Sequence, residues 1–267
     1  MRNTSHPAFI LTLAILLVIA YPQPLSSQEP VKILFIGSSY FNYNNLPEIF
    51  QKLSEEAGED VYIDQYMPSG LFLSDHAESS VTRAKIKSNT WDYVVLQGVG
   101  VVMAYPDSIT KNPFQPAMRS LKKSIERNNP NSTTIYCLPW AFEDGMTWKA
   151  GWTDGYKEMQ GKIIRNTIDY TEQMEFIIAP VGVAWSSVLK EKDYPLHYLH
   201  LTDWNHPTMK GSYLMACVLY SSIFQKSSVS ISYISGLDPA EALYFREMAS
   251  KTVLDSLQIW NIPSIPE

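Results

Sequence analysis

Cysteine is nearly absent from this chain of 267 residues: the two present, Cys137 and Cys217, each sit inside an apolar segment of its own. Two such thiols exclude a disulfide-framed scaffold and match no zinc-ligand spacing, so both are expected as buried free thiols. No run rich in Lys or Arg occurs either, and 21 basic against 27 acidic residues leave the chain mildly acidic. The electrostatic footprint of a nucleic-acid or anionic-membrane binder is therefore missing, and a neutral or weakly charged substrate fits better. Internal repeats, low-complexity tracts and linkers rich in Pro, Gly or Ser are lacking, which leaves one large domain over residues 28–267. The phosphate-cradling patterns G-x-G-x-x-G and G-x-x-x-x-G-K-[ST] are absent from its opening tract. Long apolar runs are scarce. The run Ala8 to Ala20, after Arg2 and before small residues around Ser26 and Ser27, is short for a membrane span and reads as an export signal over residues 1–27. The expectation is an exported protein, periplasmic or extracellular, with no stable membrane insertion once that segment is removed.

What is present is an alternation. Short runs rich in β-branched and aromatic residues predict strands at Val31 to Ile36, Val61 to Tyr66, Tyr93 to Gln97, Thr133 to Leu138 and Phe176 to Pro180. Between and after them, helical patterns cover Pro47 to Ala57, Ser74 to Lys87, Pro116 to Arg127, Asp154 to Glu172 and Pro207 to Phe224, with a last one from Pro239 to Ser256. In the first of these Pro47 occupies a first-turn position, and Ile49, Phe50 and Leu53 fall on one side, as an amphipathic helix requires. Strands alternating with helices predict an α/β fold: a mostly parallel five-stranded sheet with helices on both faces.

Ligands of such sheets bind beyond the carboxyl ends of the strands, where the strand order reverses. The tract "FIGSSYFNYNNLP" leaves the first strand at that place. Gly37 allows a tight exit and Ser39 follows it in a loop; the G-x-S-x-G elbow does not fit, because Phe41 stands where its second glycine would be. A bare serine is a poor nucleophile and needs a base, itself held by a third group. Of five histidines, His6 lies in the export signal and His76 begins a helical pattern, a capping or surface position. His197, His200 and His206 form a histidine-rich patch in "YPLHYLHLTDWNHP", yet their spacings match no common metal-ligand pattern, and no metal is expected. His206 differs in having Asp203 three residues before it and Pro207 after it. An aspartate so placed can hold imidazole Nδ1 and leave Nε2 facing a substrate. The same Asp203 and Asn205 read equally as helix-capping residues.

With FIGSSY, YMPSG and D-x-x-H together, the chain resembles the SGNH, or GDSL-like, hydrolases over nearly its whole length after the signal. The resemblance implies the three-layer α/β/α, flavodoxin-like fold of that family, and makes Ser39 the nucleophile, with Ser38 where the family carries aspartate. It assigns Asp203 and His206 to the closing block and gives the backbone N–H groups of Ser39 and Gly70 to the oxyanion. An asparagine normally completes the oxyanion hole after the third strand, and "VVLQGVGVV" has none; Gln97 is the nearest amide, either a substitute donor or a polar residue that ends the strand. The implied chemistry is ester hydrolysis through a covalent acyl-enzyme, with no metal or organic cofactor.

Substrate clues are compositional. Trp140, Trp148, Trp152, Trp185 and Trp204 fall after the fourth and fifth strands or beside the D-x-x-H block. Flat rings suit sugar faces, so Trp204, Trp140 and Tyr40 are expected to line a cleft for O-acyl, particularly acetyl, groups on carbohydrates. Two other classes fit the same residues: a glycan-binding protein with an inert Ser39, and a lipid or thioester hydrolase with a long apolar groove.

Overall fold

The computed structural model describes residues 29–147, 155–191 and 194–263; the expected export signal, Trp148 and Trp152 lie outside the described residues. Five strands form one sheet: β1 (Val31–Ile36), β2 (Val61–Tyr66), β3 (Tyr93–Leu96), β4 (Thr133–Cys137) and β5 (Ile177–Ala179). Every pairing is parallel, in the order β2-β1-β3-β4-β5. In the inner strands β1 and β3, Ile33–Ile36 and Val94–Leu96 are wholly buried, so both faces of the sheet must be covered.

Crossover handedness dictates how. The chain passes from β1 to β2 through α1 (Ser39–Asn42), a 3₁₀ turn (Tyr43–Asn45) and α2 (Leu46–Glu56). It then reverses direction across the sheet to reach β3 through α3 (Leu73–Glu78) and α4 (Ser80–Lys87). A right-handed crossover that reverses direction must change face. Accordingly α4 and α5 (Asp107–Asn128) pack together, whereas α2 packs with α8 (Met209–Phe224), which in turn packs with α9 (Pro239–Leu254) and α7 (Val181–Glu191). Helix α6 (Tyr156–Thr171) completes the β4-to-β5 crossover.

Strands match expectation to within a residue or two at each end. Helices depart more, each for a local reason. The expected helix over Ser74 to Lys87 is broken at Ser79, whose extended backbone ends α3 and whose hydroxyl accepts from Thr82 N–H at 3.2 Å to cap α4. Helix α5 begins nine residues before Pro116, because it carries both Pro113 and Pro116 in its interior at the cost of two backbone hydrogen bonds. Helix α7 follows β5 immediately and has no counterpart in the sequence pattern, since its short apolar turn is indistinguishable from strand exit. Pro207 does not open α8; it pairs in an isolated antiparallel bridge with His200, and Thr208 caps the helix.

Register sets up the site. Ile36 lies opposite both Tyr66 and Leu96, so β1, β2 and β3 end level and release Gly37, Met67 and Gln97 along one edge. Both cysteines are buried free thiols, and burial raises their pKa, that of Cys217 to about 12. Among the described residues no helix is long and apolar enough to cross a membrane.

Candidate active site

Gly37 leaves β1 in close quarters: a Cβ there would lie 2.7 Å from the Phe41 ring and 3.1 Å from Gln97 Oε1. The chain then turns directly into α1, with Ser39 at its first position. Three buried groups hold this turn. Gln97 Oε1 accepts from Ser38 N–H and from Ser38 Oγ–H, both at 3.0 Å. His76, wholly buried, donates from Nε2 to the Gly37 carbonyl at 2.9 Å, while its Nδ1 accepts from Thr82 Oγ1 at 2.9 Å. This corrects the expectation of a capping or surface histidine at the head of α3; desolvation lowers its pKa and keeps the ring neutral.

The opposing half of the site is the loop from His200 to Pro207. The bridge between those two residues closes its ends, reinforced by Leu201 N–H to His206 O at 2.7 Å and Thr208 N–H to Leu199 O at 2.8 Å. Trp204 takes a left-handed conformation (φ 65°) to complete the turn. Asp203 Oδ1 accepts from the N–H groups of Asn205 at 3.0 Å and His206 at 2.9 Å, and its Oδ2 lies 2.6 Å from His206 Nδ1. Helix capping is thus left to Thr208, and Asp203 serves the loop and the imidazole. Partial burial works to raise the Asp203 carboxyl, but the hydrogen bonds from the His206 ring and the two N–H groups outweigh it, and the pKa ends below its ordinary value. The carboxylate is therefore the stable form beside imidazole.

The two halves meet. His206 Nε2 lies 2.9 Å from Ser39 Oγ, so Asp203, His206 and Ser39 form a continuous line of hydrogen bonds. Side chains of α1 and the turn after it make the junction. Tyr43 stacks on the His206 imidazole (centroids 4.2 Å apart, planes at 12°), and Asn44 donates to the Pro207 carbonyl and to Ser212 Oγ, both at 3.0 Å. The Tyr40 hydroxyl donates to Asn205 Oδ1. Tyr43, Asn44 and His76 carry no sequence motif; the one available signal is that Tyr43 lies four residues beyond Ser39, one helical turn away.

Ser39, Tyr43, Ser69, Gly70, Val99 and His206 line an open cavity of about 420 Å³. Gly70 has φ +80°, a conformation that favours glycine, and among the described residues its N–H finds no protein acceptor. Gln97 does not share this cavity. It is 1% exposed, its oxygen is taken by Ser38 and its amide N–H₂ donates to the Gly98 carbonyl, so it braces the serine turn and is not an oxyanion donor.

The expected aromatic cleft is also different. Trp140 is wholly buried, sandwiched between Tyr40 (4.3 Å) and Trp185 (4.1 Å), and donates Nε1–H to the Asn205 carbonyl at 2.9 Å. It supports the loop of His206 from behind and cannot touch substrate. Trp185 is buried likewise, and Tyr40, 3% exposed, reaches the cavity wall with its hydroxyl committed to Asn205. Trp204 is 37% exposed beside the site, edge-on to His197, but is not among the cavity-lining residues. Replacing Trp140 with Phe keeps the stack and removes the bond to Asn205; turnover is expected to fall about tenfold through displacement of the imidazole, with KM nearly unchanged. Steady-state kinetics of W140F check this, and a change in KM alone would count against the supporting role.

The three histidines of the patch point to separate partners. His197 Nδ1 lies 2.8 Å from Glu143 Oε2, His200 Nε2 donates to the Ala141 carbonyl at 3.0 Å, and His206 faces Ser39. Among the described residues no three His, Cys, Asp or Glu side chains converge in a way that could hold a metal ion.

No family model matches the sequence, and no curated protein matches it. Solved structures do. A DUF4886 family protein from Bacteroides uniformis superposes with a TM-score of 0.68 at 15% identity, covering 85% of this chain and 95% of its own. A candidate SGNH hydrolase from Slackia heliotrinireducens gives 0.59 at 17% identity, covering 71% and 97%. A mutant of an acetylxylan esterase from Geobacillus stearothermophilus gives 0.50 at 17% identity, covering 70% and 91%. At these identities the likeness speaks for architecture: the three-layer α/β/α arrangement is that of the SGNH hydrolases.

Proposed function

We propose that this chain, built on the SGNH hydrolase fold, is a serine esterase that hydrolyses carboxylic esters through an acyl-enzyme on Ser39. The observation that carries the proposal is the unbroken line from Asp203 through His206 to Ser39 Oγ, with contacts of 2.6 and 2.9 Å. In the first half-reaction His206 Nε2 takes the Ser39 proton as Oγ bonds to the ester carbonyl carbon. The carbonyl oxygen becomes an oxyanion facing the N–H groups of Ser39 and Gly70. Collapse breaks the bond to the alcohol oxygen, which receives the proton from Nε2. In the second half-reaction water gives a proton to Nε2, bonds to the acyl carbon and displaces Ser39 Oγ, which recovers that proton. Asp203 stays ionised and stabilises the imidazolium formed in each half. With Gln97 engaged elsewhere, the hole rests on two backbone donors; a missing donor costs about 10²–10³ in turnover, so modest rates are expected.

The cavity is open, and Ser69 and the Asn205 side-chain amide among its lining residues can hydrogen-bond a carbohydrate or another polar alcohol. The acetylxylan esterase among the similar structures acts on esters of that kind. O-acylated carbohydrate is thus the proposed substrate class, with support from Ser69 and Asn205 and not from buried tryptophans. We also infer export, on the strength of Arg2 and the apolar run that follows it.

A fluorophosphonate probe tests the proposal: a mass increase of one phosphonyl group is expected on the peptide carrying Ser39, abolished by H206A. An unlabelled Ser39 in protein of native circular dichroism would instead favour a glycan-binding protein on the same scaffold.

A further inference from the structure

Beside the nucleophile lies a second cavity, of about 140 Å³, between the loops that leave β2 and β3 and the start of α5. Phe72, Leu73, Val99, Val102, Ile109 and Phe114 dominate its walls, and it is almost wholly apolar. Two observations tie it to Ser39. Val99 forms part of both cavities, and the chain runs from Gly70 in the first cavity to Phe72 in the second within two residues. The mouth is framed by large apolar side chains left in solvent, Phe72 at 44% and Ile109 at 43% exposure. An apolar hollow costs stability unless something fills it, and exposed apolar residues around one mark a place where an apolar group docks.

We propose that this cavity receives the acyl chain of the substrate and that the preferred acyl group is longer than acetyl. The inference rests on the serine-esterase reading above and specifies its substrate. With the ester carbonyl oxygen toward the N–H groups of Ser39 and Gly70, the acyl chain passes Val99 into the apolar cavity, and the alcohol leaves on the open polar side. Size sets the length. An apolar cavity of about 150 Å³ holds benzene, so this one holds about four to six carbons beyond the carbonyl and α-carbons. Hexanoyl to octanoyl esters are therefore the best substrates, acetyl esters poor ones, and chains beyond about twelve carbons no longer fit.

The experiment is kcat/KM for 4-nitrophenyl esters from acetate to hexadecanoate, with the full chain and with V102W and I109W. The expected profile rises roughly fourfold per methylene from acetate to hexanoate, peaks at hexanoate or octanoate and falls by dodecanoate. Each tryptophan, one inside the cavity and one at its exposed rim, should lower the hexanoate-to-acetate ratio at least tenfold; the rim variant keeps the test valid if V102W does not fold. Acetate hydrolysed as well as hexanoate, or a ratio indifferent to both variants, overturns the acyl-cavity assignment while leaving the esterase reading intact. Loss of all ester hydrolysis together with an unlabelled Ser39 overturns both.

Discussion

Ser39→Ala lowers 4-nitrophenyl ester hydrolysis by about 10⁴–10⁶-fold and leaves the melting temperature within a degree or two. The two outcomes follow from one geometry. The Ser39 hydroxyl hydrogen-bonds to His206 Nε2 alone among the described residues, so its removal takes away the proposed nucleophile and almost no packing. Asp203→Asn is the more telling partner. An asparagine Oδ1 can still accept the N–H groups of Asn205 and His206, so the loop from His200 to Pro207 should keep its shape. Its N–H₂, however, would face Nδ1 and force the imidazole into the tautomer that carries its proton on Nε2, where it cannot accept from serine. Turnover should fall about 10⁴-fold with an unchanged melting curve. A loss of less than tenfold in D203N would mean that the aspartate only shapes the loop.

The second large effect is on stability. His200 is wholly buried; desolvation lowers its pKa from the ordinary 6.5 to about 4, against the opposing pull of the Ala141 carbonyl bond. Glu143 Oε1, 4.0 Å from Nδ1, already accepts from the His197 N–H at 2.7 Å and does not offset burial. His76 is shifted in the same direction by burial. With both folded-state values depressed, the unfolded chain binds more protons than the native one in acid, so stability is complete above about pH 6.5 and is lost as pH falls toward 4. For His200 alone the loss approaches about 3 kcal/mol, or roughly 6–12 °C in melting temperature for a chain of this size. Denaturation profiles between pH 7.5 and 4 check it. In H200Q, where the amide can still donate to Ala141, the acid limb should flatten; parallel profiles for the two proteins would remove His200 from the account.

Much of this was legible in the sequence because two periodicities carry it. Alternating short β-rich runs and helical stripes located all five strands and the exit of β1, and strand order at a reversal point put Ser39 where ligands bind. Asp203 and His206 were legible as a pair three residues apart, though only the fold could bring them to Ser39. What the sequence hid were contacts between segments far apart in the chain. Nothing local distinguishes a buried His76 from a capping one, or a Trp140 that donates to Asn205 from one that faces a sugar. The two readings of Gln97 stayed open for the same reason: its environment is set by Ser38, 59 residues away. The first nine residues of α5 escaped because Pro113 and Pro116 normally argue against a helix interior, and here tertiary packing overrides them.

The two halves of the site lie 167 residues apart and are joined by Tyr43, Asn44 and Tyr40, which meet the loop of His206 where α8 packs on α2. Chemical competence thus depends on a long-range closure and not on any local element. Apart from that loop, Ser39 has no group within hydrogen-bond reach, among the described residues, that could take its proton. After a denaturant jump, the return of phosphonate reactivity is expected to lag the recovery of helical signal, which would time that closure.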